Sequence, residues 1–379
     1  MTPFTGGRTL MFASAGVGVV CTALTGVGHH FHPALAASSW LVAFVYWAGL
    51  AMASLFWVAL FDAAAAKWFT VLRRQLEHHA SALVVCAAAF IGVALGLEHL
   101  YVWADEHVIE TLPEAARRLL QHRRPYLNAP GFIMRGAIVL ALFVGVWLLL
   151  DRASRRRETT RGLSAGALFS LALGLAVAAV DWLMSLEPEW FSASFCVYGV
   201  AGSLASAAAM LLLVVIVPVD PTLPAAKASN EHVAHLAAVL FVCTCLWGWV
   251  AGTQWLVTSR ANLPAEVSWL QARTSPTWFP VTALLGVGRF ALPFIALLSR
   301  AARRNRNLLT ALSVWVLAMQ FVDVFWVVKP ALRLRSAALT LPAATFGWSD
   351  LTAWLGLGGL CMAYVLFRMR GPSAAATRG

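Results

Sequence analysis

Apolar runs of about 20 residues recur ten times along this 379-residue chain, and no other feature limits its fold so strongly. Each run is long enough to cross a hydrocarbon core of ~30 Å as a helix. In lipid a backbone must satisfy its own hydrogen bonds, so only helices and closed barrels can span it. Barrel strands would alternate over ~10 residues, whereas these runs are continuous. The fold class is therefore all-α: a polytopic membrane protein of ten transmembrane helices. The expected spans are roughly 8–29, 39–66, 80–99, 132–150, 163–186, 192–217, 233–256, 278–299, 307–329 and 347–367. Composition agrees, with 60% hydrophobic and 12% charged residues against about 45–50% and about 25% in soluble domains. That balance excludes a soluble enzyme exposed all round, and it excludes disorder.

A net charge of +11 could point to nucleic acid. Position argues against that partner. Of the 28 Lys and Arg, 26 fall in loops or at helix ends, and only Arg135 and Arg289 sit within apolar runs. Alternate loops carry unequal shares: 17 if the N-terminus faces inward, among them Arg157 and Arg378, against nine on the other side, among them Arg273, Lys329, Arg333 and Arg335. The positive-inside rule then places both termini in the cytoplasm. The first helix reads as retained, since its apolar stretch lacks a small-residue cleavage pattern. All six cysteines lie in apolar segments and none forms a CxxC pair. Neither a zinc site nor an iron–sulfur cluster is expected in this chain.

The chain repeats features four helices apart. Glu77-His78-His79 opens helix three and Glu231-His232 opens helix seven. Pro125 and Pro130 precede helix four, as Pro276 and Pro280 precede helix eight. Helix four then carries Arg135, and helix eight Arg289. Helix five ends Asp181 to Pro188, and helix nine ends Asp323 to Pro330. The expected organisation is helix 1 in 1–38, a first four-helix bundle in 39–191, a second in 192–330, and helix 10 with a cytoplasmic tail in 331–379.

Ionisable groups inside a membrane span are costly, so each is a functional candidate. At 1.5 Å per residue, Asp181 and Asp323 lie about 8 and 9 Å from the outer ends of their helices, and Arg289 about 16 Å in. Arg289 could therefore meet Asp323 on the neighbouring helix. Two readings stand together: a proton or quinone site, or a structural ion pair. Near the outer surface are His29 and His30 after helix one, Glu98 and His99 at the end of helix three, and Glu187 and Glu189 after helix five. Carboxylates beside histidines suit proton release; a plain polar interface explains them equally. Asp62 is the one carboxylate near the inner side of a span. It could serve proton uptake with Glu77, His78 and His79, or simply neutralise Lys67. Bis-histidine haem would need facing ligands, with His29 or His30 opposite His99, or His78 or His79 opposite His232 or His235. All of these sit at helix ends. Of the 17 tryptophans, Trp182, Trp190, Trp255, Trp269, Trp278, Trp326 and Trp348 cluster near outer ends, as interfacial anchors do, and could also wall a quinone ring.

One stretch is more specific. Asp181-Trp182-Leu183-Met184-Ser185-Leu186-Glu187-Pro188-Glu189-Trp190-Phe191-Ser192, followed by Val197-Tyr198-Gly199, resembles the second polysulfide-reductase-like membrane subunit of bacterial alternative complex III, a quinol:cytochrome c oxidoreductase. Gln254 to Leu270, containing Ala261-Asn262-Leu263-Pro264 and Glu266, and Arg123-Arg124-Pro125-Tyr126-Leu127-Asn128 are similar to that family too. The likeness runs from about Ala66 to Leu332. It implies an inner-membrane subunit with quinone contact or proton translocation and no haem or metal of its own. It also implies partners: a sister ten-helix membrane subunit, an iron–sulfur subunit, multihaem and monohaem cytochromes c, and a terminal oxidase. Haem c and iron–sulfur clusters would sit on those partners. Two positions depart from the family pattern: Glu189 stands where histidine is usual, and Ser259-Arg260 where an aromatic pair is usual. The competing classes are a secondary transporter, in which repeats frame a midplane site, and a haem-bearing cytochrome b.

Overall fold

A computed structural model describes residues 7–156, 158–218, 224–261, 264–334 and 346–370. Arg157, Arg335, Arg378, Asn262 and Leu263 lie outside the described residues, as do the side chains of Ala261, Pro264 and Glu266. Among the described residues every regular element is a helix. Ten are long and apolar enough to cross a membrane: α1 Arg8–Phe31, α2 Pro33–Ala63, α3 Lys67–Leu95, α4 Ala129–Arg155, α5 Arg161–Leu186, α6 Phe195–Ile216, α7 Asn230–Arg260, α8 Phe279–Leu298, α9 Arg306–Leu332 and α10 Trp348–Arg370. The chain is an all-α, multi-pass membrane protein. An even number of spans puts Arg8 and Arg370 on one face, here called the terminal face; the opposite face is the far face.

The two proline-opened helices start as the sequence suggests. Pro130 and Pro280 occupy first-turn positions, where a missing N–H costs nothing. Asn128 caps α4 by accepting from the Gly131 amide at 2.8 Å. α3 departs from expectation. It begins at Lys67, so Glu77, His78 and His79 lie inside the helix rather than at its opening. The charged turn stays helical because its charges are paired: Arg73 bonds Asp62 at 2.9 Å and Glu77 at 3.1 Å, and Arg74 bonds Asp151 at 2.9 Å. Ion pairing across helices replaces the hydropathy that the sequence there lacks.

α2 lies at the centre, buried on almost every side and packed against α1, α3, α5, α6, α9 and α10. α6 is likewise enclosed, by α2, α5, α7 and α9. Lipid tails are as apolar as leucine, so helix association in a membrane rests on close packing and interhelical hydrogen bonds. Both are visible here. α1 and α10 touch through Gly18, Gly356 and Gly359, where an added Cβ would fall within 2.8 Å of the facing backbone. From α2, Tyr46 donates to the Leu317 carbonyl of α9 (3.2 Å) and Trp57 to the Leu204 carbonyl of α6 (3.1 Å).

Candidate functional site

Arg289 on α8 and Asp323 on α9 form a deeply buried ion pair. The Arg289 Nε lies 3.3 Å from Asp323 Oδ2, with both side chains at most 5% exposed. Gln320, one turn before Asp323, accepts a hydrogen bond from Arg289 Nη2 and another from Ser206 at 3.1 Å. Tyr198 on α6 donates its hydroxyl to Asp323 Oδ1. The guanidinium lies 4.8 Å from the Trp247 ring on α7. Four helices thus meet at one charge pair.

Two local features let them meet. Residues Leu285–Ala291 of α8 are a π-helix, just ahead of Pro293. A π segment rotates the helix face relative to a regular α-helix and often marks a functional position. On α6, Gly202 has no side chain to obstruct the cluster; a Cβ there would lie 2.7 Å from Arg289 Nη2 and 3.0 Å from Gln320 Oε1. Arg289 Nη1 is buried and finds no acceptor among the described residues. A buried donor without an acceptor is uncommon.

Tyr198 and Trp247 also wall a cavity of about 310 Å³. Its aromatic lining includes Phe195, Trp255, Trp269, Phe290 and Trp326. Its polar groups are few: Tyr198, Gln254, Thr258 and Thr282. Gln254 accepts from Ser192 and, at 2.6 Å, from Ser194, and donates to Thr258 at 3.1 Å. Gly252 and Gly286 line the same space, and a Cβ at either would meet nothing within 4 Å. On its other side Asp323 lines a smaller cavity of about 50 Å³ with Gln320, Ser203 and Tyr198. Tyr198 therefore touches both cavities and the carboxylate between them.

Asp181 does not join this cluster. It pairs with Arg135 on α4, Nε to Oδ2 at 2.7 Å, and accepts from Tyr126 at 2.7 Å. The Arg135 guanidinium stacks 3.9 Å from the Tyr126 ring. Burial and the bond to Asp181 push the Tyr126 hydroxyl up to about 12. Helices four to five and eight to nine thus each hold one arginine–aspartate pair. The sequence placed Arg135 in a span but left it without this partner.

The remaining candidates separate. Glu187 is buried and held between Arg273 (2.7 Å) and Arg333 (2.5 Å). Burial raises its pKa, and the two guanidinium charges outweigh that and hold it below the ordinary value of 4.5. Glu189 and Glu98 are exposed. The His29 and His99 rings touch edge-on, 5.4 Å between centroids, and His30 rests against Phe31. Of the histidines towards the terminal face, His79 meets Gln75 at 3.1 Å, His232 meets Ser229 at 2.7 Å, and His235 lies against Trp68. Asp62 bonds Arg73, Thr160 and Ser164, not Lys67 as one reading expected. It belongs to a terminal-face network of Arg73, Arg74, Glu77, Asp151, Arg155 and Arg368. Among the described residues no group of three or more His, Cys, Asp or Glu is placed to hold a metal ion.

Two buried cations escaped the sequence reading because they sit at segment ends, where charge usually meets water. Arg273 is 1% exposed, stacked 3.9 Å from the Trp269 ring and donating to the Val327 carbonyl at 2.7 Å. Lys329 is 1% exposed and bonds Asp350 at 2.7 Å, Ser38 at 3.0 Å and Ser39 at 3.1 Å. Gln320, three residues before Asp323 on one helix face, was the legible signal that was passed over. No family model matches the chain, and no curated protein matches it either.

Proposed function

We propose that the chain is a membrane subunit of a quinol-oxidising, cytochrome c-reducing respiratory complex in a bacterial inner membrane, with both termini in the cytoplasm. In this reading it takes a quinol headgroup in the aromatic cavity of α6–α9. Electrons leave through haem c and iron–sulfur centres on partner subunits: a sister ten-helix subunit, an iron–sulfur protein and cytochromes c. The observation that carries the reading is the Tyr198–Asp323–Arg289 relay at the wall of that cavity.

The chemistry is consistent at each point. A 150 Å³ apolar cavity admits a benzene ring, so about 310 Å³ admits a substituted quinone ring. Ligand sites are mostly apolar, with a few placed polar groups. A quinol hydroxyl at the Tyr198 end would give its proton to the tyrosine oxygen as that hydroxyl passes its own to Asp323. Arg289 stays charged, since guanidinium does not deprotonate in proteins. It thereby holds the carboxylate ready as acceptor. The likeness of 181–199 to alternative complex III supports the same assignment.

The test uses the four tryptophans of the cavity. A short-chain quinone should quench the fluorescence of the purified full-length chain in a saturable way. Gly252→Phe, which fills the cavity from a position with free space, should abolish the saturable component. In the intact complex Asp323→Asn should lower quinol oxidation or its coupled proton movement. Quenching that is linear in quinone and equal in Gly252→Phe refutes the site.

A further inference from the structure

A third cavity lies apart from that site. It opens on the far face, between the turn that follows the helix Glu114–Arg123 and the end of α5, and encloses about 320 Å³. Its lining divides by chemistry. His122 and Arg123 supply cationic and polar groups, whereas Leu127, Val180, Met184 and Phe191 are apolar.

Arg123 is electrostatically distinct from its neighbours. Arg117 and Arg118 pair with Glu114, Arg124 with Glu106, and Arg135 with Asp181. Arg123 has no carboxylate partner among the described residues; its guanidinium donates only to the Pro188 carbonyl there. A second donor on the wall is also unused. Trp190, 2% exposed and stacked 4.4 Å from the Trp269 ring, has a buried Nε1 with no acceptor among the described residues. Phe191, next to it, is 60% exposed.

We infer that this cavity is a binding site for one anionic phospholipid, its phosphate on the Arg123 guanidinium and an acyl chain along Val180, Met184 and Phe191. A free anion would satisfy the cation and leave the apolar wall bare. A zwitterionic lipid would cover the wall but carry its own ammonium beside the phosphate, so the arginine would gain no net counter-charge. Only an anionic amphiphile matches both halves, and the cavity lies where α5 leaves the hydrocarbon. Phosphate oxygens accept strong charge-assisted bonds from guanidinium. Bound there, the lipid would cover the opening beside Tyr126 and Asp181. The inference is independent of the quinol reading.

Native mass spectrometry of the full-length chain, exchanged into phosphatidylglycerol or phosphatidylcholine, tests it. One phosphatidylglycerol per chain should be retained and phosphatidylcholine should not. Arg123→Gln should lower retention about tenfold, the effect of losing one charge-assisted contact. Met184→Trp, which fills the trough and leaves Arg123 in place, should lower it as well, with melting curves showing that both variants fold. Absence of retained lipid, equal retention of the two lipids, unchanged retention in either variant, a quinone in the retained peak, or displacement by inorganic phosphate would each overturn the proposal.

Discussion

Removing one member of the Lys329–Asp350 pair should cost far more stability than removing both. The ammonium makes three contacts: Asp350 Oδ1 at 2.7 Å and the hydroxyls of Ser38 and Ser39 at 3.0 and 3.1 Å. The carboxylate is equally satisfied. Ser39 donates to Oδ1 at 2.7 Å and the Gly347 amide to Oδ2 at 2.9 Å. Each side chain is 1% exposed. Lys329→Met therefore strands a buried carboxylate, and Asp350→Leu a buried ammonium; either should destabilise by about 3–5 kcal/mol. The double variant strands neither charge and fills similar volume, so it should fall within ~1 kcal/mol of wild type. Thermal or SDS-titrated unfolding of the four proteins in one detergent gives the cycle. If the two single losses add in the double variant, or each is below ~1 kcal/mol, then the pair is not the closed unit its geometry describes.

Three further outcomes follow from the same geometry. Gly202→Ala puts a methyl group 2.7 Å from Arg289 Nη2; overpacking of this kind costs ~1–3 kcal/mol, and quinone quenching should weaken with it, whereas unchanged melting and quenching would show slack in the cluster. Glu187 has a lowered pKa in the fold, so its arginine clamp contributes above pH 4.5, its ordinary value, and the contribution fades as pH falls below it. The melting difference between wild type and Glu187→Gln should therefore be full at pH 7 and shrink as pH falls below 4.5; a pH-independent difference would refute the clamp. For topology, Arg303→Cys should be shielded from an impermeant thiol reagent in intact cells and Glu110→Cys labelled; the reverse pattern would invert the orientation.

The spans were legible because hydropathy dominates any segment that must lie in lipid. The start of α3 was not, since Arg73, Arg74 and Glu77 are helical only through partners on α2 and α4. The Arg289–Asp323 contact was legible from helical rise alone, which fixes depth. The partner of Asp181 was not, because depth does not say which helix face is turned towards which neighbour. Arg273 and Lys329 were misplaced for a related reason. A cation near a segment end reads as solvated unless its aromatic or hydroxyl neighbours are known, and Trp269, Ser38 and Ser39 come from other parts of the chain. The π-helical segment of α8 left no trace in the apolar pattern.

The enclosure of α2 has a consequence for biogenesis. Ser39 on α2 and Asp350 on α10 hydrogen-bond across 311 residues of chain. At about 5–20 residues per second, translation of that interval lasts roughly 16–62 s. α2 enters the bilayer second, yet it has almost no face intended for lipid. For that interval its future contacts with α6, α9 and α10 must be filled by lipid tails or by an insertion chaperone. The ion pair of Lys329 and Asp350 can close only when the last span arrives, so it acts as the final latch of assembly. A nascent chain arrested before α10 would be recognisable to quality-control proteases by the uncovered polar serines of α2.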